Sequence, residues 1–307
     1  MILVVGPSPA FQQRMVFDAL ALDAVNRARE VEALPSGKPI NCARALHRLG
    51  VAARIVLFLG GVRGEWLRRS LETEGIACRA VPCAAENRLA CTVFESETGR
   101  TTELVENARA VTAKEAEAFF TAAREELSDA SALLLSGSLP SGFPPAIYRD
   151  LAMEAARRRL PVVVDTQGAA LLAAVEAKPT VAKPNRAELA VATNLPTAAA
   201  AERDAAMREL QKRGAANVLV SDGAREVALL DSETLRRFCP PTVRPGNAIG
   251  SGDVFAAALA ADLAAGKPLE EGTRWGIACA AANVAGAGYA RFDPDLARTL
   301  LPRVSEG

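Results

Sequence analysis

The sequence predicts an α/β protein of the doubly wound kind, with a mostly parallel central sheet flanked by helices and a small β-sheet lid. Three observations carry this. Short apolar runs recur, and helix-length segments separate them. Most runs are apolar at every position rather than at alternate ones, as in strands covered on both faces. Loops after several runs are rich in Gly, Ser, Lys and Asn, where an open parallel sheet builds its site.

The strand-like runs are Ile2–Val5, Arg54–Gly60, Ala132–Ser136, Pro161–Asp165, Thr180–Pro184 and Asn217–Ser221. The predicted helices are Asn41–Leu49, Gly64–Glu74, Ala113–Leu127, Pro145–Arg158, Thr197–Arg213, Asp253–Ala265 and Glu270–Ala285. Residues 11–34 and 88–105 break the rhythm by alternating apolar and polar positions. "LACTVFES" (Leu89–Ser96) shows the period best, with "ETGR" as its turn. These two segments read as one small β appendage beside the main sheet. No linker or internal repeat divides the chain, so residues 1–307 are read as one domain.

Half of the 307 residues are hydrophobic, enough for a large core. Lys plus Arg and Asp plus Glu number 36 each, so no basic excess calls for nucleic acid or an anionic membrane surface. No uncharged run reaches the ~18 residues of a membrane span. Met1 leads directly into "ILVVG", a strand rather than a signal peptide. The six cysteines (Cys42, Cys78, Cys83, Cys91, Cys239 and Cys279) form no CxxC pair, and His47 is the sole histidine. That argues against a Cys/His zinc site and against a Ser/His/Asp triad. A carboxylate is left as the general base. The expectation is a soluble, cytoplasmic protein with reduced cysteines.

In "GNAIGSGDVFAAALAADLAAG" (Gly246–Gly266), Gly250-Ser251-Gly252-Asp253 closes onto a helix start. Phe255, Leu259 and Leu263 share one face of that helix, and Gly266 and Pro268 end it. Free backbone N–H groups at a helix N-terminus make an anion site, and glycines let the backbone approach a phosphate. Asp253 there is either a helix cap or a general base beside a phosphoryl group. "AKPNRAEL" (Ala182–Leu189) offers Lys183 as a cation, with Asn185 and Glu188 one helical turn apart. The pair either caps a helix or orients hydrated Mg²⁺. "SGSLPSGFP" (Ser136–Pro144) is a polar turn or a crevice wall, and "SDGAREVALL" (Ser221–Leu230) alone says hairpin. "PSGKPINCARALHRLG" (Pro35–Gly50) sets Gly, Lys and Asn before a helix, a helix start or a second anion loop.

With "SGKPIN", "ENRLACTVF", "TTEL", "LSGSLPSG", "VVVDTQG", "KPNRAEL", "SDGA" and "NAIGSGD" in this order over nearly its whole length, the chain resembles the ribokinase-like (PfkB) carbohydrate kinases. Within them the likeness is to the 1-phosphofructokinase and tagatose-6-phosphate kinase branch. The resemblance implies transfer of the γ-phosphoryl group of ATP, with Mg²⁺, to a hydroxyl of a sugar phosphate. It implies Asp253 as general base, with the amides of Gly250, Ser251 and Gly252 as anion hole. It assigns Lys183, Asn185, Glu188, Ser221, Gly223 and Asn283 to the nucleotide, with Glu188 holding Mg²⁺ through water. Gln12, Arg27, Lys38, Asn41, Arg88 and Ser138 fall on the acceptor side. The lid is where relatives pair into homodimers, and several relatives use a monovalent cation such as K⁺ near the GSGD loop.

Three departures lie on the acceptor side. The family's "NPAxD" reads "SPAFQ", so Gln12 stands for an aspartate and can donate as well as accept. "GGKGxN" reads "SGKPIN", so Pro39 replaces a glycine. "TEIN" reads "TELV". They favour, as the alternative acceptor, an unphosphorylated sugar, nucleoside or similar alcohol.

Overall fold

The structure, a computed structural model, describes residues 1–232 and 234–307. The strands are β1 (Ile2–Val5), β2 (Ala10–Phe17), β3 (Glu30–Ser36), β4 (Ala53–Leu59), β5 (Ala77–Pro82), β6 (Arg88–Glu95), β7 (Thr101–Val105), β8 (Ala132–Ser136), β9 (Val162–Asp165), β10 (Val181–Ala182), β11 (Asn217–Ser221), β12 (Val227–Asp231), β13 (Thr234–Cys239) and β14 (Ser305–Glu306). The α-helices are α1 (Lys38–Arg48), α2 (Gly61–Thr73), α3 (Ala113–Glu126), α4 (Ala146–Arg157), α5 (Gly168–Val175), α6 (Arg186–Thr193), α7 (Ala200–Lys212), α8 (Ser251–Ala264), α9 (Leu269–Ala285) and α10 (Pro294–Leu300).

The main sheet runs β14-β13-β12-β11-β10-β9-β8-β1-β4-β5. It is parallel from β5 to β11, and β12, β13 and β14 add on antiparallel. β1, β8 and β9 are buried at every position, which is why their runs carry no polar alternation. Their side chains feed two cores, one per face: Ile2 and Val4 meet α1 and α8, while Leu3 and Val5 meet α3 and α4. From β1 the chain winds outward to β4 and β5, then returns to β8 on the other side of β1. Such a reversal opens a crevice at the carboxyl ends of β1 and β8.

The second sheet, β3-β2-β6-β7, is the lid. β2 pairs antiparallel with β3 and parallel with β6, and β7 folds back on β6 through the predicted turn. Phe11 seats it on α2, its ring edge-on to Trp66 at 4.7 Å between centroids.

The main differences from the sequence reading are local. α1 starts three residues early, at Lys38, because Pro39 falls in its first turn, where no backbone N–H is needed. Pro39 is buried as a wedge: a Cβ at Gly6 would lie 2.7 Å from it and 2.4 Å from the Ser136 carbonyl. β5, α5, β13, α10 and β14 lie outside the predicted elements, and Thr180–Pro184 shortens to the two residues of β10. All six cysteines are free, and no helix among the described residues is long and apolar enough to cross a membrane.

α8 is buried along nearly its whole length because alanines let α1 and α9 close on it. At the crossing, a Cβ at Gly276 would sit 2.2 Å from the Phe255 ring. Gly276→Ala is therefore expected to destabilise the fold by about 1–3 kcal/mol, read by denaturant unfolding.

Candidate active site

The amino end of α8 opens into the crevice. Gly250 caps it at φ 82, a left-handed conformation that glycine takes without strain. A Cβ there would also press on the Ala290 amide at 3.2 Å. The Ser251 N–H donates to the Ala248 carbonyl at 3.1 Å. Of the first-turn amides, those of Gly252 and Asp253 are left without a partner among the described residues. This corrects the expected anion hole, in which the Ser251 amide was counted. Asn283 is corrected as well. It is wholly buried, and its Nδ2 donates to the Ile249 carbonyl (3.1 Å) and to Ser251 Oγ (2.9 Å). It holds the loop rather than facing a nucleotide.

Asp253 is buried at 6 % exposure, and Asn41 Nδ2 donates to its Oδ2 at 2.8 Å. Asn41 Oδ1 accepts from Arg44 at 3.3 Å. Both ends of the Asn41 amide are thus engaged inside the protein, so Asn41 orients Asp253 where a substrate contact was expected. Burial pushes the Asp253 carboxyl up to about 6, with the charge of Asp165 adding to it. Lys38, the Asn41 hydrogen bond and Lys183 pull the other way.

Asp165 is a site residue outside the expected set. The signal available was a carboxylate closing the apolar run "PVVVD". Its Oδ1 lies 3.1 Å from both Lys38 Nζ and Lys183 Nζ, and its Oδ2 is buried without a partner among the described residues. Burial alone would raise this carboxyl, but the two ammonium groups outweigh it and hold it below the usual range. Lys38 is held well above its ordinary value: burial opposes its charge, and Asp165, Asp253 and Glu188 overcome that. Lys183 Nζ is 3.9 Å from where a Gly252 Cβ would stand, beside the free amides.

On the nucleotide side, Asn185 and Glu188 form a reciprocal capping box on α6, each side chain bonding the other's backbone N–H at 2.8–2.9 Å. The box uses Glu188 Oε2. Oε1 faces the crevice, 3.7 Å from Lys38 Nζ. One free carboxylate oxygen suits Mg²⁺, which keeps several waters and takes phosphate oxygens besides. No cluster of three or more acidic, His or Cys side chains stands ready to cage a metal among the described residues. Ser221 bridges Asn185, and Gly223 turns at φ 59 in open space. A crevice of about 760 Å³ passes Ser138, Gln167, Asn185 and Glu188.

On the acceptor side, Arg88 is half-buried and reaches the Ser8 carbonyl at only 3.5 Å. Arg88 Nε and Ser8 Oγ are both buried and unpartnered among the described residues, so donors await an acceptor here. Gln12 Nε2 donates to Thr92 Oγ1 at 2.8 Å, and Thr92 Oγ1 donates to Glu103 Oε1 at 3.2 Å. The carboxylate takes the Thr92 proton, so the Gln12 amide must give its N–H to Thr92. Its Oε1 remains the free end. Arg27 is not brought to the site. It is exposed in the connection between β2 and β3, at the end of the lid remote from Gly37 and α1.

A helix N-terminus with free amides, a buried carboxylate beside it and two lysines suit transfer of a phosphoryl group to an alcohol. Residues 4–295 match the model of the pfkB family carbohydrate kinases, and the chain belongs to that family. It is 28% identical over 283 residues to a 1-phosphofructokinase of Bacillus subtilis, covering 92% of each chain. Phosphofructokinase-2 of Escherichia coli, solved with potassium, superposes with TM-score 0.89 at 26% identity, with 98% of each chain covered. A possible 1-phosphofructokinase of Thermotoga maritima gives TM-score 0.90 at 20% identity over 100% of this chain and 98% of that one, a likeness of fold. The activity that goes with this membership is that of a carbohydrate kinase.

With Asp253 read as the base, which works as its carboxylate, kcat/KM should fall as pH drops through about 6. Asp165→Asn removes a charge that raises Asp253 and leaves the lysines unopposed. The acid limb of its pH–rate profile is therefore expected at lower pH than in wild type.

Proposed function

We propose that this chain transfers the γ-phosphoryl group of ATP to a hydroxyl of a phosphorylated sugar, as a 1-phosphofructokinase or tagatose-6-phosphate kinase does, with Asp253 as general base. The observation that carries this is the buried Asp253 carboxylate beside the free amides of Gly252 and Asp253. Asp253 takes the proton of the attacking hydroxyl. The amides, the α8 dipole and Lys183 receive the charge on the phosphoryl oxygens, where transition-state stabilisation counts most.

Lys38 and Lys183 draw the phosphates into line, with Asn185, Glu188, Ser221 and Gly223 bounding the nucleotide. Glu188 Oε1 would hold hydrated Mg²⁺, which when bound neutralises phosphate charge. Arg88 and Ser8 anchor the acceptor's own phosphate, because they hold unspent buried donors. Gln12 and Ser138 complete the acceptor side. A monovalent cation such as K⁺ assists beside the GSGD loop. The support is the potassium complex of the similar E. coli enzyme.

The protein works in the cytoplasm, as a homodimer joined through the lid. Supporting the dimer, Val31 and Leu104 expose 56% and 60% of their surface on one lid face.

A screen of free and phosphorylated sugars with ATP and Mg²⁺ tests the reading. Turnover of hexose phosphates is expected, and turnover of unphosphorylated acceptors alone would overturn it. Asp253→Asn should lower kcat by about 10²–10⁴. Arg88→Ala should raise KM for the acceptor and leave KM for ATP close to unchanged, as steady-state kinetics with either substrate varied would reveal.

A further inference from the structure

Arg44 lies on α1 one turn after Asn41 and is buried at 4% exposure. All five of its N–H groups are spent. Nε and Nη2 donate to the two carboxylate oxygens of Glu74, at the end of α2, at 2.8 and 3.1 Å. Nη2 also donates to the Pro35 carbonyl in β3 at 2.8 Å. Nη1 donates to the Tyr289 carbonyl at 2.8 Å and to Asn41 Oδ1 at 3.3 Å. One guanidinium therefore joins the lid, α2, the loop after α9 and the residue that holds Asp253. The Tyr289 contact has its own significance. Tyr289 and Ala290 are both left-handed, at φ 54 and 60, and the Tyr289 N–H meets the Ile249 carbonyl at 2.8 Å beside the start of α8. A non-glycine pair in that conformation needs outside support.

The Asn41 contact settles an orientation. Arginine only donates, so the amide oxygen of Asn41 must face it. The amide NH₂ is then turned to Asp253 Oδ2, which accepts it at 2.8 Å. Turned over, the amide would set its oxygen against the carboxylate and its NH₂ against a guanidinium that cannot accept. We propose that Arg44 is a positioning residue for phosphoryl transfer: it locks the Asn41 amide with its NH₂ on Asp253 and ties that pair to the lid through Pro35. The proposal rests on reading Asp253 as the base.

The other groups facing Asp253 are Lys38 and Cys42 from α1, Asp165 from β9 and Lys183 just after β10. Around Arg44 stand Glu74, Arg291 and Arg48. Of all these side chains, Asn41 is the one that bonds both Arg44 and Asp253. A change at Arg44 that reaches the base passes through it.

The test is the pH dependence of kcat/KM for the acceptor in Arg44→Met/Glu74→Gln, a pair that leaves no lone carboxylate behind. The hydrogen bond from Asn41 favours the charged form of Asp253, so its loss should move the acid limb up by about one pH unit. KM for ATP should stay near wild type. A merely structural Arg44 would lower thermal stability and leave the limb in place, which overturns the proposal.

In an Asn41→Ala background the limb is already moved, and adding the Arg44 pair should move it no further. A second, additive shift also overturns the proposal. Should the pair variant not fold, Arg44→Lys is read in the same way, since an ammonium keeps the charge but cannot span five acceptors. Asp253→Asn separates the two readings. If it keeps wild-type turnover and limb, the base assignment falls. If it is inactive while the Arg44 variants keep the wild-type limb, only the Arg44 proposal falls.

Discussion

The site depends on one oxygen atom. Asp165 Oδ1 is shared by Lys38 and Lys183, which reach it from α1 and from the end of β10. A buried ammonium with no counter-charge tends to shed its proton, and a buried carboxylate tends to gain one. Sharing the oxygen answers both at once. It keeps a positive cluster at the crevice, with Lys183 buried and Lys38 partly exposed, while the same negative charge helps lift Asp253 towards neutrality. Three segments must end at one point for this to occur: β9 at Asp165, β10 just before Lys183, and Gly37 at the start of α1. The parallel sheet delivers the first two side by side, and the return from β3 of the lid to α1 delivers the third.

Much of this was legible in the sequence. Unbroken apolar runs announced buried parallel strands, and the glycines before Asp253 announced a helix start with free amides. What could not be read is which way a polar side chain turns once it is buried. Asn41 and Asn283 fall at the expected end of the sheet, yet Asn41 spends both ends of its amide, and Asn283 its NH₂, on neighbours in the protein. Arg44 sat inside an apparently ordinary helix, because its five acceptors come from four separate stretches of chain. Asp165 was hidden as the last letter of a strand. Arg27 was displaced by geometry: the motif order says nothing of how far a lid connection lies from its hinge. α5 and α10 are short, and β5 is half-exposed, so none shows a sustained period.

The alternatives posed by the motifs turn out not to exclude one another. Asn185 and Glu188 form the plain helix cap, and for that reason Glu188 is held with one oxygen fixed and the other presented. Pro39 is likewise an ordinary first-turn proline, and it also fills the space that Gly6 leaves empty. Local stability and the arrangement of reactive groups use the same atoms here.

Gln12 carries a last consequence. A glutamine in place of an aspartate suggests a lost hydrogen-bond acceptor. Thr92, itself turned by Glu103, occupies the donating end of that amide. What remains is a carbonyl oxygen, able to accept a hydrogen bond from a hydroxyl as a carboxylate oxygen would. The change is therefore in charge and not in hydrogen-bond sense. Under the proposed reading, a doubly phosphorylated product leaving the cleft would meet one less negative neighbour than an aspartate would supply, and so less repulsion on its way out.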